Sequence, residues 1–462
     1  MLDDMLQSIE TIRERPVWQP IPSSEEALFH SDLPQLPEDI KTVHEQFMNH
    51  ILPFGVGNIH PRFMGWVHGG GNMAGMMAEM LSAGLNANLG GRNQIPISVE
   101  QEVIDWMRQL FGFPDGSSGI FVTGSSLANL IGLWVARNTA LGDSIRKNGV
   151  PAGKLTAYTS SAAHASIAQA FDLAGLGTHC LRTIPVNDLH QMDLTALQMA
   201  IDQDRKQHLK PFFIAATAGT VDVGAIDNLS ALAQLARAEK LWLHVDGALG
   251  AITMLAPNLA PLLQGIEQAD SLAFDLHKLG QVPYDAGIIL VRNGRQHYET
   301  FASQASYLHR EQQGVAGGTF WPCDYGPDLS RSFRALKAWF TFKVYGAKKM
   351  GDMIAHACAL AQYMAACIRS QPDLELLAPV TLNIVCFRFC CTNPDEINTQ
   401  IVLRLQESGI AVPSTTKIHG KLAIRAAITN HRTTSEDIDI LIQSTQTLGH
   451  ALCQDNQKKT PS

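Results

Sequence analysis

Short apolar runs alternate with segments of helical periodicity from about residue 75 to about residue 345. The runs predict strands, several of them apolar on both faces: GIFVTG, KLTAYTS, HCLRTIPV, PFFIAATAGT, LWLHVDGA, SLAFDL and AGIILVR. Between them, LANLIGLWVARNTA, ASIAQAFDLAGL and IDNLSALAQLARAEK carry apolar residues at helical spacing. Apolar strands alternating with helices indicate an α/β fold, with a mostly parallel central sheet covered on both faces.

The pattern differs at the two ends of the chain. Residues 1–74 contain helical segments broken by prolines, which predicts an N-terminal helical arm with little core of its own. The large domain is predicted to span residues 75–345 and to end on the long helix SFRALKAWFTFKVYG. NIVCFRF, KLAIRAAI and SEDIDILIQSTQTL then predict a smaller α+β C-terminal domain over residues 346–453. The polar residues 454–462 are predicted to form a disordered tail.

Composition narrows the class of protein. The 462 residues are 45% hydrophobic and 17% charged, as in globular proteins with large cores. A net charge of −8 argues against nucleic acid or an anionic membrane as partner. The N-terminus offers no apolar run for a signal peptide, and polar residues interrupt the apolar segment 119–136. The eight cysteines show neither disulfide-framework density nor metal-ligand spacing, so we expect a reduced, cytoplasmic protein without a metal site.

Candidate chemistry lies at predicted strand ends, where open α/β sheets bind ligands. Gly124 and Ser125 follow one strand and begin a helix, an arrangement that suits a phosphate and equally suits a plain helix cap. Asp246 ends another strand, where a buried acid requires a cationic partner such as a protonated pyridine or an arginine. Lys278 follows a third strand, where partial desolvation would make its amine a usable nucleophile. His164 follows a fourth, as a ring-stacking residue or a helix cap.

Several motifs together resemble the group II pyridoxal-phosphate (PLP) decarboxylases, which act on aromatic amino acids, histidine and glutamate. HPRFMGWVHGGG, VEQEVIDWM (with Glu100 at the usual acid), TGSSLANLIGLWVAR, HASI and TAGTVDVGAIDNL follow one another in family order. WLHVDGALG and DLHKLG come next and are the most specific pair. The resemblance runs from about residue 60 into the C-terminal domain.

This resemblance implies roles for the residues around the cofactor ring. Lys278 would form the internal aldimine, and Asp246 would pair with the pyridine nitrogen. Ala248 and His164 would contact the two faces of the ring, and Thr217 would approach its phenolic oxygen. The resemblance therefore predicts an amino acid decarboxylase that works through a quinonoid intermediate.

The resemblance also implies a phosphate site, a fold and an assembly. Gly124, Ser125 and His277 would hold the phosphate, together with Asp275. The implied fold is the aspartate aminotransferase type (fold type I), and the implied assembly is a homodimer with active sites at the subunit interface.

A loop before SRSFRALK departs from the family pattern. Many members have a tyrosine there that protonates Cα, whereas this chain has Trp321 and Pro322. Tyr325 is displaced by a few residues and is the candidate catalytic tyrosine, and Tyr307 lies at the start of the loop. Glycines at 314, 317 and 318 predict a flexible lid.

Four functions therefore remain to be compared. Decarboxylation to an amine is favoured, and decarboxylation with oxidative deamination to an aldehyde is the alternative. An aminotransferase or carbon–carbon lyase, and a non-catalytic binding protein, fit less well. The segment GWVHGGGN predicts a substrate pocket with Trp66 and His68, and Arg92 is a candidate partner for an acidic substrate. None of these residues selects one amino acid.

Overall fold

The computed structural model describes residues 1–142, 144–151, 153–303 and 310–459, with residues 456–459 as backbone only. It divides into a large unit, Gly71–His356, and a small unit that combines Met1–Gly70 with Ala357–Ser462. The sequence placed these boundaries after residues 74 and 345. The structure therefore assigns the N-terminal arm to the same compact unit as the C-terminal domain.

Helices and strands alternate along most of the chain. The helices are α1 (Leu2–Glu10), α2 (Ser23–Ala27), α3 (Ile40–Gln46), α4 (Met73–Leu85), α5 (Ile95–Leu110), α6 (Ser125–Leu141), α7 (Ile145–Asn148), α8 (Ala165–Leu173), α9 (Leu194–Lys206), α10 (Leu229–Glu239), α11 (Gly294–Phe301), α12 (Arg334–Arg369), α13 (Pro394–Glu407) and α14 (Ser435–Lys459). The strands are β1 (Ser118–Val122), β2 (Leu155–Ser160), β3 (Leu181–Ile184), β4 (Lys210–Thr217), β5 (Trp242–Asp246), β6 (Ser271–Asp275), β7 (Gly287–Val291), β8 (Leu374–Leu376), β9 (Ile384–Phe389), β10 (Ser414–Ile418) and β11 (Lys421–Ala427).

The large unit is built on a seven-stranded sheet in the order β1-β7-β6-β5-β4-β2-β3. Strands β3, β2, β4, β5 and β6 are parallel, and β7 pairs antiparallel with both β6 and β1. Every residue of β2, β6 and β7 is buried, as expected for strands of a sheet covered on both faces. The predicted α/β class with a mostly parallel sheet is confirmed, and each predicted strand of this domain is present.

The small unit contains a four-stranded antiparallel sheet in the order β10-β11-β9-β8. Residues of the N-terminal arm are attached to the C-terminal part of this unit by a hydrogen bond and an ion pair. The Val17 N–H donates to the Gly409 carbonyl at 2.9 Å, and Arg13 Nη1 lies 2.8 Å from Asp437 Oδ1. Phe63 is buried and forms a bridge to Val412. The smaller α+β domain is thus present, and residues 1–70 contribute to its core.

The predicted C-terminal tail differs from the structure. Helix α14 runs to Lys459, so residues 454–459 are helical where the sequence predicted a disordered tail. These residues contain no proline or glycine, and they prolong a helix that the buried Ile438, Leu441 and Ile442 hold in place. Helix α12 changes direction at Gly346, which has a positive φ of 76°. No helix within the described ranges is both long and apolar enough to cross a membrane.

Candidate active site

The carboxyl ends of β4, β5 and β6 bring the predicted reactive residues to one edge of the large sheet. Strand register places Thr217 opposite Asp246, and Asp246 opposite Ala273. Asp275, the last residue of β6, stands opposite Gly287. Because a parallel ladder holds neighbouring strand ends level, these residues share one rim, which we call the cofactor edge.

Lys278 lies in the turn that follows β6 at the cofactor edge. Its Nζ is 2.8 Å from Asp275 Oδ2, and its side chain is 23% exposed. The other oxygen of Asp275 accepts a hydrogen bond of 2.8 Å from the backbone N–H of Ser125. One carboxylate therefore joins the lysine to the first turn of helix α6.

The first turn of α6 forms a small polar cup. Ser125 is buried, and its Oγ has no hydrogen-bond partner among the described residues. Gly124 precedes it, and a Cβ at Gly287 would lie only 2.4 Å from the Gly124 Cα, so the backbone turn needs a glycine opposite it. A helix N-terminus with an unused buried hydroxyl suits an anion such as phosphate.

His277 lies beside this cup and is oriented by the backbone. Its Nδ1 accepts a hydrogen bond of 3.0 Å from the Ala286 N–H, so Nε2 is the nitrogen that carries a proton. Burial lowers the pKa of His277, although Asp275 at 3.8 Å acts in the opposite direction. The imidazole is therefore a neutral donor next to the cup.

Asp246 is a buried acid with two donors. Its Oδ1 accepts from the Ala248 N–H, and its Oδ2 accepts from Asn129 Nδ2, both at 3.1 Å. Burial raises the pKa of Asp246, and Lys278 partly offsets this effect. A carboxylate in such a position is stabilised by a cation, which a protonated pyridine nitrogen would supply.

His164 and Thr217 also lie at strand ends. His164 caps helix α8, because its Nδ1 accepts from the Ser166 N–H at 3.1 Å and lies 2.8 Å from Ser166 Oγ. Its imidazole is exposed, so the cap and a contact with a bound ring are compatible. The Thr217 N–H donates to the buried carboxylate of Asp227 at 2.8 Å. Burial raises the pKa of Asp227 to about 6.

The remaining candidates are not brought to the cofactor edge. Tyr325 stacks on Phe320 with ring centroids 4.8 Å apart and contacts His297. His297 bonds to Ser118, the first residue of β1, whereas the cup follows the last residue of that strand. Tyr325 is thus held near the opposite end of β1 by aromatic packing. Tyr307 lies outside the described residues.

The residues proposed for the substrate pocket are divided between the units. The guanidinium of Arg92 lies 4.7 Å from the ring centroid of Trp321, so it is engaged in a cation–π contact. Trp66 and His68 belong to the small unit, where His68 stacks on Phe63 with centroids 5.6 Å apart.

Sequence reasoning did not assign a role to Asn129, although it holds Asp246. The available signal was a carboxamide in the otherwise apolar helical segment LANLIGLWVA. A buried amide requires partners, and the sequence did not indicate which ones these would be.

A mostly parallel sheet with a strand-end lysine, a buried strand-end acid and a helix N-terminal anion cup defines a PLP-dependent enzyme of fold type I. The family described as the pyridoxal-dependent decarboxylase conserved domain matches residues 22–390. The chain belongs to this family, and it is a carboxy-lyase that uses pyridoxal 5′-phosphate.

Individual relatives agree with this membership. The chain is 36% identical to an aromatic-L-amino-acid decarboxylase of Bacillus atrophaeus, over 82% of this chain and 79% of the relative. It is 30% identical to a 3,4-dihydroxyphenylacetaldehyde synthase of Aedes aegypti, over 95% and 86%. A solved glutamate decarboxylase domain of a Vibrio parahaemolyticus protein has a TM-score of 0.87 at 28% identity, covering 97% of this chain and 95% of the other.

The residues present fit the cofactor on physical grounds. Ser125 offers an unused buried hydroxyl, and His277 offers a neutral N–H beside it. Asp246 is an acid whose burial calls for a cation, and Lys278 offers a partly exposed amine. The phosphate, the ring nitrogen and the aldehyde of pyridoxal phosphate thus each have a chemically matched residue in the large unit.

Proposed function

We propose that Lys278 binds the cofactor covalently and that Asp246 holds a proton on the cofactor's ring nitrogen. The observation that carries this proposal is the burial of Asp246 on the same sheet edge as Lys278: burial raises the pKa of that acid, and the charge of Lys278 partly offsets the rise. When bound, PLP supplies a conjugated ring that takes up the electron pair left at Cα when carbon dioxide departs. An ionised Asp246 keeps this ring cationic and so favours that transfer.

The cup at the start of α6 holds the phosphate in this proposal. The Ser125 Oγ and the His277 Nε2–H are donors toward it, whereas both oxygens of Asp275 are already engaged, one by the Ser125 N–H and the other by Lys278 Nζ. Asp275 therefore positions Ser125 and Lys278 and does not itself bind the phosphate. This refines the expectation that Asp275 contacts the phosphate directly.

His164 covers one face of the ring and carries its proton on Nε2, because Nδ1 already accepts from the Ser166 N–H. With Nδ1 engaged, the Nε2–H in this position can donate a hydrogen bond to the substrate carboxylate and so orient it. Ala248, half-buried after β5, lies against the other face, and Thr217 approaches the ring oxygen.

Formation of an aldehyde is the second candidate function. It is favoured by the loop, which has Trp321 and Pro322 at the family's tyrosine position and holds Tyr325 in an aromatic cluster. The 30% identity to an aldehyde synthase is consistent with either outcome. Retention of His164 favours the amine.

An L-amino acid with an aromatic side chain is the proposed substrate. The 36% identical relative is named for such substrates, and Arg92 is occupied by Trp321 instead of facing an acidic group. The predicted pocket residues Trp66 and His68 form a stack with Phe63, a surface suited to an aromatic ring.

A homodimer in the cytoplasm is the proposed working form. The N-terminal arm exposes large apolar side chains, with Leu33 79%, Leu36 81% and Ile40 69% accessible, and a second copy would bury them. All eight cysteines are free, as expected in a reducing compartment.

Borohydride reduction of the holoenzyme tests the lysine. We expect a stable pyridoxyl group on the peptide that contains Lys278, detected by mass spectrometry. The Lys278→Ala variant should lack both this label and turnover. A label on another lysine, or activity retained in the variant, would overturn the assignment.

A product screen separates the two reactions and identifies the substrate. Holoenzyme is incubated with each common L-amino acid, and carbon dioxide, oxygen uptake, amine and aldehyde are followed together. Carbon dioxide and amine from aromatic amino acids without oxygen uptake are expected. Oxygen uptake with an aldehyde would establish the second candidate, and turnover of acidic amino acids alone would refute the substrate proposal.

A further inference from the structure

A line of buried side chains extends from Asp246 into the interior of the large unit, away from the cofactor edge. Asn129 Nδ2 donates to Asp246 Oδ2 at 3.1 Å, and the amide oxygen of Asn129 lies 2.8 Å from His244 Nε2. The other ring nitrogen of His244 lies 2.8 Å from Ser271 Oγ. Asn129, His244 and Ser271 are fully buried, so these contacts are not exchanged for water.

The line ends on a group that can only donate. Trp242 Nε1 is 2.8 Å from Ser271 Oγ, and an indole N–H has no acceptor role. Ser271 must therefore accept from Trp242, and its own hydroxyl hydrogen is directed to His244 Nδ1. Burial lowers the pKa of His244 to about 3, so the ring is neutral and has one N–H. That N–H is on Nε2 and donates to the Asn129 oxygen.

The same order fixes the orientation of the Asn129 amide. With its oxygen engaged by His244, the amide turns its NH₂ group toward the cofactor edge. One hydrogen reaches Asp246 and the other reaches Ser166 Oγ at 3.2 Å. Ser166 Oγ then has its hydrogen directed to His164 Nδ1 at 2.8 Å. A single amide thus sets the hydrogen bonding of both Asp246 and His164.

The opposite donor and acceptor roles along this line would be unfavourable at two buried positions. If His244 carried its proton on Nδ1, Ser271 would accept from both His244 and Trp242 and its hydroxyl hydrogen would lose its acceptor. The Asn129 oxygen would then face Asp246, which could remain in contact only by becoming protonated. A buried donor without a partner is unfavourable, so the reversed order is disfavoured.

The packing leaves room for this arrangement at one specific position. A Cβ at Gly132 would lie 2.8 Å from His244 Nδ1 and 3.2 Å from Ser271 Oγ. Gly132 stands one helical turn after Asn129 on α6, so the helix can approach His244 closely only because this residue has no side chain.

We propose that the N–H of Trp242 sets the direction of every hydrogen bond in this line and thereby keeps Asp246 an anionic acceptor that holds the proton on the cofactor's ring nitrogen. Trp242, Ser271, His244 and Asn129 are positioning residues that act through Asp246. The inference rests on the proposed role of Asp246.

The test uses holoenzyme reconstituted with PLP labelled with nitrogen-15 in the ring. The pH at which the ring nitrogen loses its proton is read from its NMR chemical shift. Trp242→Phe keeps an aromatic ring and removes the N–H, and Ser271→Ala removes the hydroxyl by a smaller change if the first variant folds poorly. We expect both variants to lower this pH by about one unit, a tenfold change in the proton affinity, because each weakens the order that keeps the Asn129 hydrogen bond on the charged Asp246.

The controls separate this inference from the proposed function. Trp134→Phe alters a tryptophan in the same apolar cluster as Trp242 and should leave the pH unchanged. Asp246→Asn should lower it more than either test variant. An unchanged value in both Trp242→Phe and Ser271→Ala, with a large shift in Asp246→Asn, would overturn the directional line alone. An unchanged value in Asp246→Asn would overturn the assignment of Asp246 itself.

Discussion

The cofactor edge and the loop over residues 310–331 place their side chains by different means. At the edge, Thr217, Asp246 and Asp275 stand where the strand ladder puts them, because each is a registered strand end. In the loop, the ring of Trp321 contacts the guanidiniums of Arg92 and Arg310, whose carbon atoms lie 4.7 and 4.9 Å from the ring centroid. Backbone register determines the first set of positions, and side-chain packing determines the second.

The loop is attached to the rest of the large unit at its middle and at its C-terminal end. A Cβ at Gly91 would lie 2.6 Å from the Trp321 ring, so the ring packs directly on the backbone of that turn. At the C-terminal end, the guanidinium of Arg331 forms an ion pair with Glu100. The backbone carbonyl of Arg331 accepts a hydrogen bond of 2.8 Å from the Leu89 N–H. The glycines of the loop predicted a flexible lid, and these contacts anchor the described part of the loop that follows them.

After Lys278→Ala, the largest effect is expected from an acid at the cofactor edge. Asp246→Asn keeps the shape of the side chain and removes its charge, so the ring nitrogen loses its stabilising partner. We expect kcat to fall by about 10²–10³-fold, as for loss of a preorganised electrostatic group. Cofactor content is measured in parallel, and near-normal turnover at full occupancy would show that another acid performs this role.

The second effect concerns the ion pair at the end of the loop. Glu100 Oε1 accepts from Arg331 Nη2 at 2.6 Å and from the Phe121 N–H at 3.0 Å, and both charged residues are buried. Glu100→Gln leaves the guanidinium buried without a countercharge and should lower the free energy of unfolding by about 3–5 kcal/mol. Chemical denaturation measures this loss.

The exposed Glu102 on the same helix provides the matched control for that substitution. Glu102→Gln should change the free energy of unfolding by less than about 0.5 kcal/mol. Equal effects of the two substitutions would mean that the buried pair contributes no more than a surface contact.

The third effect compares the two regions through one buried histidine in each. His244 lies behind the cofactor edge and His297 lies beside Tyr325 of the loop, and burial lowers the pKa of each to about 3. As the pH falls below about 6.5, the unfolded chain binds protons that the folded chain does not. Each histidine therefore stabilises the fold above that pH, and this contribution is lost progressively toward about pH 3.

Urea unfolding of the apoenzyme at pH 7 and at pH 5 tests this effect. His297→Gln should reduce the loss of stability between these pH values by about 2 kcal/mol, from about 1.4 kcal/mol per pH unit below 6.5. His208 is exposed, so between pH 7 and pH 5 the His208→Gln variant should lose as much free energy of unfolding as the unaltered protein. An equal loss in all three proteins would contradict the burial argument.

The smallest effect is expected at Tyr325. Tyr325→Phe retains the ring that stacks on Phe320, so kcat and the ratio of amine to aldehyde should stay within about twofold. His164→Asn, by comparison, should lower kcat by about 10²-fold through loss of the hydrogen bond that orients the substrate carboxylate. A large decrease in Tyr325→Phe would support the sequence-based assignment of this tyrosine as the proton donor.

Most of the fold and part of the site were predictable from local patterns. The apolar runs indicated the strands of the large sheet, and residues directly after those runs, such as Asp246 and Lys278, followed as candidates for its rim. The short strands β8 and β10 were not predicted, because the first four residues of β10 are polar and β8 has only three residues. Likewise, nothing local indicated that residues 1–70 would join the small unit.

The sequence by itself determined the class of fold, the order of the strand-end residues and their chemical types, because strand periodicity and residue type are local properties. Only the tertiary structure decided their partners. Asn129 meets both Asp246 and His244 because α6 packs on β5, and Arg331 meets Glu100 across more than two hundred residues. Tyr325 is held at Phe320 and His297 for the same reason: long-range packing selects among contacts that the local sequence leaves equally available.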